Sequence, residues 1–194
     1  MGFGMDLALT FEDSAPFKLT VDHYRALDRG GAFDEAPRVE LIEGMIVCMS
    51  PMSPAHGRVT AELVTRFSTR LKEIGSKLVP FAGSTVATPP HSAPDPDITI
   101  APLPIGEDWL VAAAAKLVIE VSRTTLGKDL KVKRDIYAAA GVPEYWVVDV
   151  NRSEVHRFAD PRDGAYRAEP PIPLAGTLRS LTLPDLVIDG SGIL

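Results

Sequence analysis

Residues Lys116 to Ala140 read KLVIEVSRTTLGKDLKVKRDIYAAA, a stretch whose hydrophobic period changes in its middle. Lys116 to Ser122 is a near-continuous run of branched apolar side chains interrupted by one acid, Glu120, the pattern of an interior strand. From Gly127 to Ala140 the spacing turns helical. At 3.6 residues per turn Leu126, Leu130, Lys133, Tyr137 and Ala140 share one face, with Lys128, Lys131 and Asp135 opposite. A lysine inside the apolar stripe needs a route to water or a partner of opposite charge. A buried strand feeding such a helix predicts an α/β fold: a mixed central β-sheet flanked by helices.

Two acids are candidate partners for Lys133. Glu120 lies thirteen positions before it, and Asp97 opens the short strand Pro96-Asp97-Ile98-Thr99-Ile100. An unpaired carboxylate in a buried strand costs several kcal/mol, on the order of the penalty that keeps buried charges rare. Two acids and a lysine converging therefore predict a site. Carboxylate oxygens suit hard cations such as Mg²⁺ or Mn²⁺, and a nearby ammonium can hold a phosphate oxygen or an attacking water. The plainer alternatives are an ion pair of Glu120 with Arg123 or Lys116, a turn acid at Asp97, and a Lys133 whose head snorkels to water. Asp95 is the neighbouring acid; Asp97 is preferred because the alternation of Ile98 and Ile100 begins directly after it.

Outward from this stretch, residues 1–18 lack periodicity and predict a loosely ordered arm before a single domain over 19–194. Thr20 reads as the N-cap of a helix to Leu27, ended at Arg29-Gly30-Gly31. Strands over Val39 to Ile42 and Met45 to Met49 flank a Glu43-Gly44 turn. Ser53-Pro54 starts a long helix to about Ile74, with Val59, Leu63, Phe67, Leu71 and Ile74 as its buried stripe. His56 falls on that inward face in the first turn, where it can contact phosphate, orient water or pack as a bonded core histidine. Further strands are expected near Leu78 to Ala82, Thr85 to Ala87, Tyr145 to Val150 and Ser153 to Ala159, and the alanine run before Lys116 predicts a short helix. Asp129 stands four residues before Lys133 and is expected to pair with it, while Tyr137 packs with its hydroxyl toward the site.

These motifs together resemble the Uma2 family of restriction-endonuclease-like proteins, within the PD-(D/E)XK nuclease superfamily. The resemblance runs from about Thr20 to Leu186. Its carriers are Val39-Glu40-Leu41-Ile42-Glu43-Gly44, Met49-Ser50-Pro51 with His56-Gly57, Pro96-Asp97-Ile98, Leu117 to Ser122, and Gly141-Val142-Pro143-Glu144-Tyr145-Trp146 with Val147-Val148-Asp149. It implies a restriction-endonuclease-like core and a metal-dependent nuclease acting on DNA. The implied catalytic set is Asp97, Glu120, Lys133, Glu40 and His56, with Asp97, Glu120 and Glu40 on Mg²⁺ or Mn²⁺. One departure stands out. The superfamily's lysine lies two residues after the glutamate, where this chain has Ser122, and the resemblance implies that the family carries it on the following helix, at Lys133. Glu144, Tyr145 and Trp146 read mainly as structural.

Composition limits the alternatives. At 194 residues with 45% apolar side chains the chain can build one real core. A net charge of −6 argues against tight nonspecific nucleic-acid binding, although an acidic metal site attracts phosphate only once its cation is bound. The single cysteine, Cys48, closes no internal disulfide, and no Cys/His spacing suits zinc. No secretory signal and no membrane-length apolar run is evident, so a cytoplasmic location is expected. Two other classes compete with the nuclease: an inactive homodimeric binding or regulatory module on the same fold, and an acid/base enzyme using Glu120 with His56, whose activity would survive chelation.

Overall fold

In the computed structural model residues 15–103 and 109–194 are described. Along the chain the elements are α1 (Val21–Arg29), β1 (Val39–Ile42), β2 (Met45–Cys48), α2 (Pro54–Glu73), β3 (Leu78–Ala82), β4 (Val86–Ala87), β5 (Ile98–Pro102), β6 (Leu110–Val111), a 3₁₀ turn (Ala112–Ala114) and β7 (Leu117–Ser122). There follow α3 (Leu126–Lys128), a π turn (Asp129–Lys133), α4 (Arg134–Ala139), β8 (Glu144–Asp149), β9 (Glu154–Arg162), β10 (Ala165–Ala168), β11 (Ile172–Pro173), β12 (Thr177–Arg179) and β13 (Val187–Asp189). The expected mixed sheet is present, in the order β10-β9-β8-β7-β5-β3 with β11 on β9. Its one parallel pair, β7 with β8, is joined through the α3–α4 helical segment, the crossover that parallel strands require.

Both faces of the sheet are covered. On β7 the side chains of Leu117, Ile119 and Val121 pack with Val59, Leu63, Phe67 and Leu71 of α2, joined from β8 by Trp146 and Val148. Val118 packs on the other side with Tyr137, Leu126 and Leu130 of the crossover, joined by Tyr145 and Val147. Each fully buried side chain of this size contributes roughly 1.5–3 kcal/mol, so the two layers pin β7 at the centre. Successive strand residues point to opposite faces, so Glu120 and Ser122 share the crossover side with Val118. Glu120 is thereby placed beneath the helix that carries Lys133.

Local signals set the remaining frame. Ser53 caps α2 by accepting from the His56 amide at 3.3 Å, with Pro54 in the first turn. Thr20 caps α1 through the His23 amide, and Gly30 ends it. The β1–β2 hairpin turns through Glu43 (φ 50°) and Gly44 (φ 87°), the two positive values of a tight hairpin turn, and Gly44 is free of the steric penalty a side chain would meet there. A bridge between Leu41 and Ala93 docks this hairpin against the segment that leads into β5.

Two expectations are modified. The helix drawn from Gly127 to Ala140 is interrupted by the five-residue π turn. The alanine run forms only a single 3₁₀ turn. Residues 1–14 of the predicted N-terminal arm, and 104–108 of the stretch before β6, lie outside the described residues. Among the described residues no helix is long and apolar enough to cross a membrane.

Candidate active site

Strand register brings the two acids together. β5 and β7 run antiparallel with Ile98 opposite Ile119, which brings Asp97, the residue before β5, beside the Glu120–Val121 end of β7. Glu120 leaves β7 on the crossover side, whereas the Asp97 carboxylate turns to the backbone of β7 and to α2, which packs on the opposite face. One Asp97 oxygen accepts from the Val121 amide at 2.7 Å and the other lies 2.7 Å from His56 Nε2. The inward His56 of the first turn of α2 is thus a bonded histidine whose partner is a site acid.

Lys133 is buried, with 3% of its side chain exposed, and bridges Glu120 Oε1 at 2.9 Å and Glu40 Oε2 at 3.0 Å. Tyr137, one turn on, donates to Glu120 Oε1 at 3.4 Å. Glu40 is fully buried on the face of β1 opposite Leu41, and its Oε1 accepts from Lys128 at 2.7 Å. Neither Arg123 nor Lys116 pairs with Glu120, and Lys133 does not reach for water. Asp95 belongs to a separate group, bonded to Thr85 Oγ1 at 2.6 Å and Arg38 at 3.1 Å.

Asp129 does not form the expected ion pair with Lys133. Its Oδ2 accepts from Ser122 Oγ and from Thr125 Oγ1, the latter at 2.6 Å, and its carbonyl accepts from Tyr145. The π turn is the reason: i→i+5 bonding widens the helix and turns Asp129 inward over β7 instead of along the surface. The same turn moves Lys128. Five residues along an α-helix is a rotation of about 140° away, which is why Lys128 reads as solvent-facing. Across a π turn residues five apart come close to alignment, and Lys128 and Lys133 grip the two oxygens of one carboxylate.

The electrostatics follow from this packing. Burial opposes ionisation of Glu40, yet Lys133 and Lys128 outweigh it and hold its carboxyl below the usual range. Burial works against the Lys133 charge too, but Glu120, Glu40 and Asp129 overcome it and the ammonium keeps its proton. Burial pushes the Glu120 carboxyl well above the carboxylate range; Lys133 pulls it down while Asp129 and Asp97 add to the rise. Glu120 is accordingly an acid whose charged form is opposed by its burial and supported chiefly by the Lys133 ammonium. Burial, followed by the charge of Glu120, keeps the Tyr137 phenol protonated and able to donate.

Asp97, Glu120, Lys128, Asp129 and Lys133 line a cavity of about 710 Å³, with Arg38 and Arg123 on its wall beside His56 and the loop from Met49 to Ser53. Of the predicted residues the structure gathers Asp97, Glu120, Lys133 and His56 on this cavity. Glu40 stands behind them, linked through the lysines. Among the described residues no group of three His, Cys, Asp or Glu side chains is arranged to hold a metal ion. The chemistry on offer is two carboxylates on one cavity, and Glu120 Oε2 accepts no hydrogen bond from any described residue. That donor set fits Mg²⁺ or Mn²⁺, oxygen-seeking ions that keep several waters and bind through one or two carboxylates plus substrate oxygens. Glu40, expected as a further ligand, does not line the cavity, and both its oxygens accept from ammonium groups.

Sequence reasoning missed Lys128, Arg38, Arg123 and the Ser122-Thr125-Asp129 chain. One signal was present: a buried Glu40 beside Glu120 requires more positive charge than Lys133 alone supplies.

The family model named Uma2, whose description reads "Putative restriction endonuclease", matches residues 21–190. No curated protein matches the chain. Among solved structures, a crystal structure from Anabaena variabilis, described as a "putative nuclease belonging to DUF820", aligns with a TM-score of 0.66 over 92% of this chain and 97% of its own, at 18% identity. At that identity the likeness shows a shared fold.

Proposed function

The chain belongs to the Uma2 family, and from that premise we propose that it is a metal-dependent nuclease hydrolysing phosphodiester bonds, with DNA as its substrate. The observation that carries the reading is that Asp97 and Glu120 line the same cavity, with the Lys133 ammonium 2.9 Å from Glu120. The family's description as a restriction endonuclease supplies the substrate class.

Asp97 and Glu120 would hold Mg²⁺ or Mn²⁺ through the oxygens facing the cavity. Such an ion, when bound, polarises a phosphoryl oxygen and lowers the pKa of a coordinated water. The remaining work belongs to the chain. His56 and the Val121 amide fix the Asp97 carboxylate. Lys133 and Tyr137 fix Glu120 and surround it with donors already in position, a preorganised field for negative charge that builds on a phosphate. Lys133 acts as a fixed cation and not as a base, because its neighbours hold its proton in place. Glu40 orients the two lysines and takes no part in binding the ion.

The test is incubation of the purified protein with supercoiled, linear and single-stranded DNA in Mg²⁺ or Mn²⁺, beside EDTA controls and the variants Asp97→Ala and Lys133→Ala. Cleavage by the wild type that disappears with EDTA and in both variants supports the proposal. Metal binding without cleavage of any substrate rejects DNA as the substrate. A protein that binds no metal is instead the binding module of the same fold, and activity that survives chelation points to acid/base chemistry.

A further inference from the structure

Lys128 has no role in the reading above beyond its contact with Glu40, yet its surroundings differ from those of Lys133 in every respect that matters to a ligand. Lys133 is sealed, with two carboxylates on its ammonium. Lys128 has 31% of its side chain exposed, lines the cavity, and has Glu40 as its single partner among the described residues. An ammonium carries three N–H donors, so two remain for whatever enters. The position is constructed by the fold: Glu40 fixes the ammonium at 2.7 Å, the Asp95 amide at 3.3 Å helps hold Glu40, and the π turn rotates Lys128 from the solvent side toward Lys133.

The charge balance gives this position a purpose. Four acids, Glu40, Asp97, Glu120 and Asp129, are buried or nearly so around two lysines. A phosphodiester entering the cavity meets these acids and needs cations that face it directly; Lys128 shares the wall with Arg38 and Arg123. A divalent ion on Asp97 and Glu120 would offset one side. On the other side Lys128 is the ammonium with donors to spare.

We propose that Lys128 is a substrate-contacting residue that binds a phosphate oxygen of the nucleic acid, and that Glu40 is the positioning residue that holds it over the cavity. This rests on the nuclease reading and assigns the phosphate subsite within it. Lys133 then serves as the strut between Glu40 and Glu120, coupling the phosphate-binding side of the site to the acid side.

The experiment measures binding and cleavage separately in Lys128→Gln, Glu40→Gln and the double variant. Binding is followed by anisotropy of a fluorescein-labelled oligodeoxynucleotide in Ca²⁺ across a salt series, and cleavage by steady-state kinetics in Mg²⁺. Loss of one phosphate contact should weaken binding roughly 10-fold or more and reduce the slope of log affinity against log salt by about 1. KM should rise with kcat within a few-fold, and Lys128→Arg should recover part of the loss. Glu40→Gln should raise KM likewise, and the double variant should add little, because both substitutions remove the same contact. Unchanged affinity and salt slope in Lys128→Gln, with the wild type binding and cleaving, overturns this assignment and leaves the nuclease reading standing. A wild type that neither binds nor cleaves the oligonucleotide overturns both. A Lys128→Gln protein that loses kcat alone overturns the phosphate role, placing Lys128 in the chemical step.

Discussion

Replacing Lys133 with methionine keeps the length and apolar stem of the side chain and removes only the ammonium. In the native protein that ammonium lies 2.9 Å from Glu120 and 3.0 Å from Glu40, with 3% of the side chain exposed. Glu40 would retain Lys128 and the Asp95 amide, so the stranded charge falls on Glu120, left with the Tyr137 hydroxyl at 3.4 Å. Breaking a buried ion pair from one side costs about 3–5 kcal/mol. For a chain of this size each kcal/mol moves Tm by roughly 2–4 °C, so the expected drop is about 6–20 °C near pH 8. The pH dependence has a definite sign. Burial already lifts the folded Glu120 pKa above its unfolded value, and removing Lys133 takes away the main influence pulling it down. Above the unfolded pKa the folded state then binds more protons than the unfolded one, so stability falls as pH rises until the folded pKa is passed. The penalty should be largest near pH 8 and shrink toward pH 5. Lys133 itself, with its folded pKa raised, contributes fully across that range and loses its contribution only at far higher pH. Urea unfolding followed by tryptophan fluorescence measures both quantities, because Trp146 is fully buried against Phe67. A loss below about 1 kcal/mol that is flat from pH 5 to 8 would mean that the ammonium snorkels to water and holds no buried charge on Glu120.

Three further outcomes follow from the same geometry. Glu120→Gln keeps an acceptor for Lys133 and Tyr137 and removes the charge facing Asp97 and Asp129, so without metal the variant should melt at or above the wild-type temperature at pH 8, with the advantage fading toward pH 5. In the same melts the wild type should gain about 2.7 kcal/mol at a hundredfold excess of Mg²⁺ over its Kd and the variant nothing; an equal gain in both would remove Glu120 from the metal site. His56→Ala frees one oxygen of Asp97 and should cost about 10–100-fold in metal affinity or cleavage, measured by calorimetric titration and initial rates, with an unchanged affinity and rate counting against the positioning role. Glu144→Ala strands five donors, on Trp146, Ser180, Leu181 and Thr182, and should destabilise the fold by about 3–5 kcal/mol while leaving cleavage intact well below Tm, as checked by paired melting and activity measurements.

Much of this arrangement is legible in the sequence, because it depends on repeating patterns. The stripe of α2, the capping residues Thr20 and Ser53, the Glu43-Gly44 turn and the apolar run around Glu120 each carry their own periodicity or local chemistry. Asp97 is legible for a related reason: the alternation after it marks the strand it precedes, and strand pairing then brings it beside the Glu120–Val121 end of β7. The π turn leaves no comparable mark. Its five residues fit an α-helical pattern equally well, and only contact with β7 and Glu40 reveals that the helix is widened. That one local deviation accounts for both errors on this helix, the surface placement of Lys128 and the pairing given to Asp129. Glu144 was legible as structural, but its four bonds to the C-terminal segment depend on long-range docking that no local pattern records.

The deviation also bears on why the lysine of this chain is found on a helix. A lysine at the Ser122 position would leave β7 on the same face as Glu120, the arrangement in which one strand supplies both acid and cation. Here that position is fully buried under the crossover, and the Ser122 hydroxyl is committed to Asp129. A long side chain would have to displace Asp129 and Thr125 to reach the cavity. Lys133 arrives from above instead, where the helix backbone sets its height over the sheet and the π turn sets its rotation. The same rotation brings a second ammonium into range, which a strand lysine would not do. Moving the cation from strand to helix thus exchanges one lysine beside the glutamate for two lysines joined through Glu40, and the buried acid on β1 becomes the link that makes the exchange electrostatically affordable.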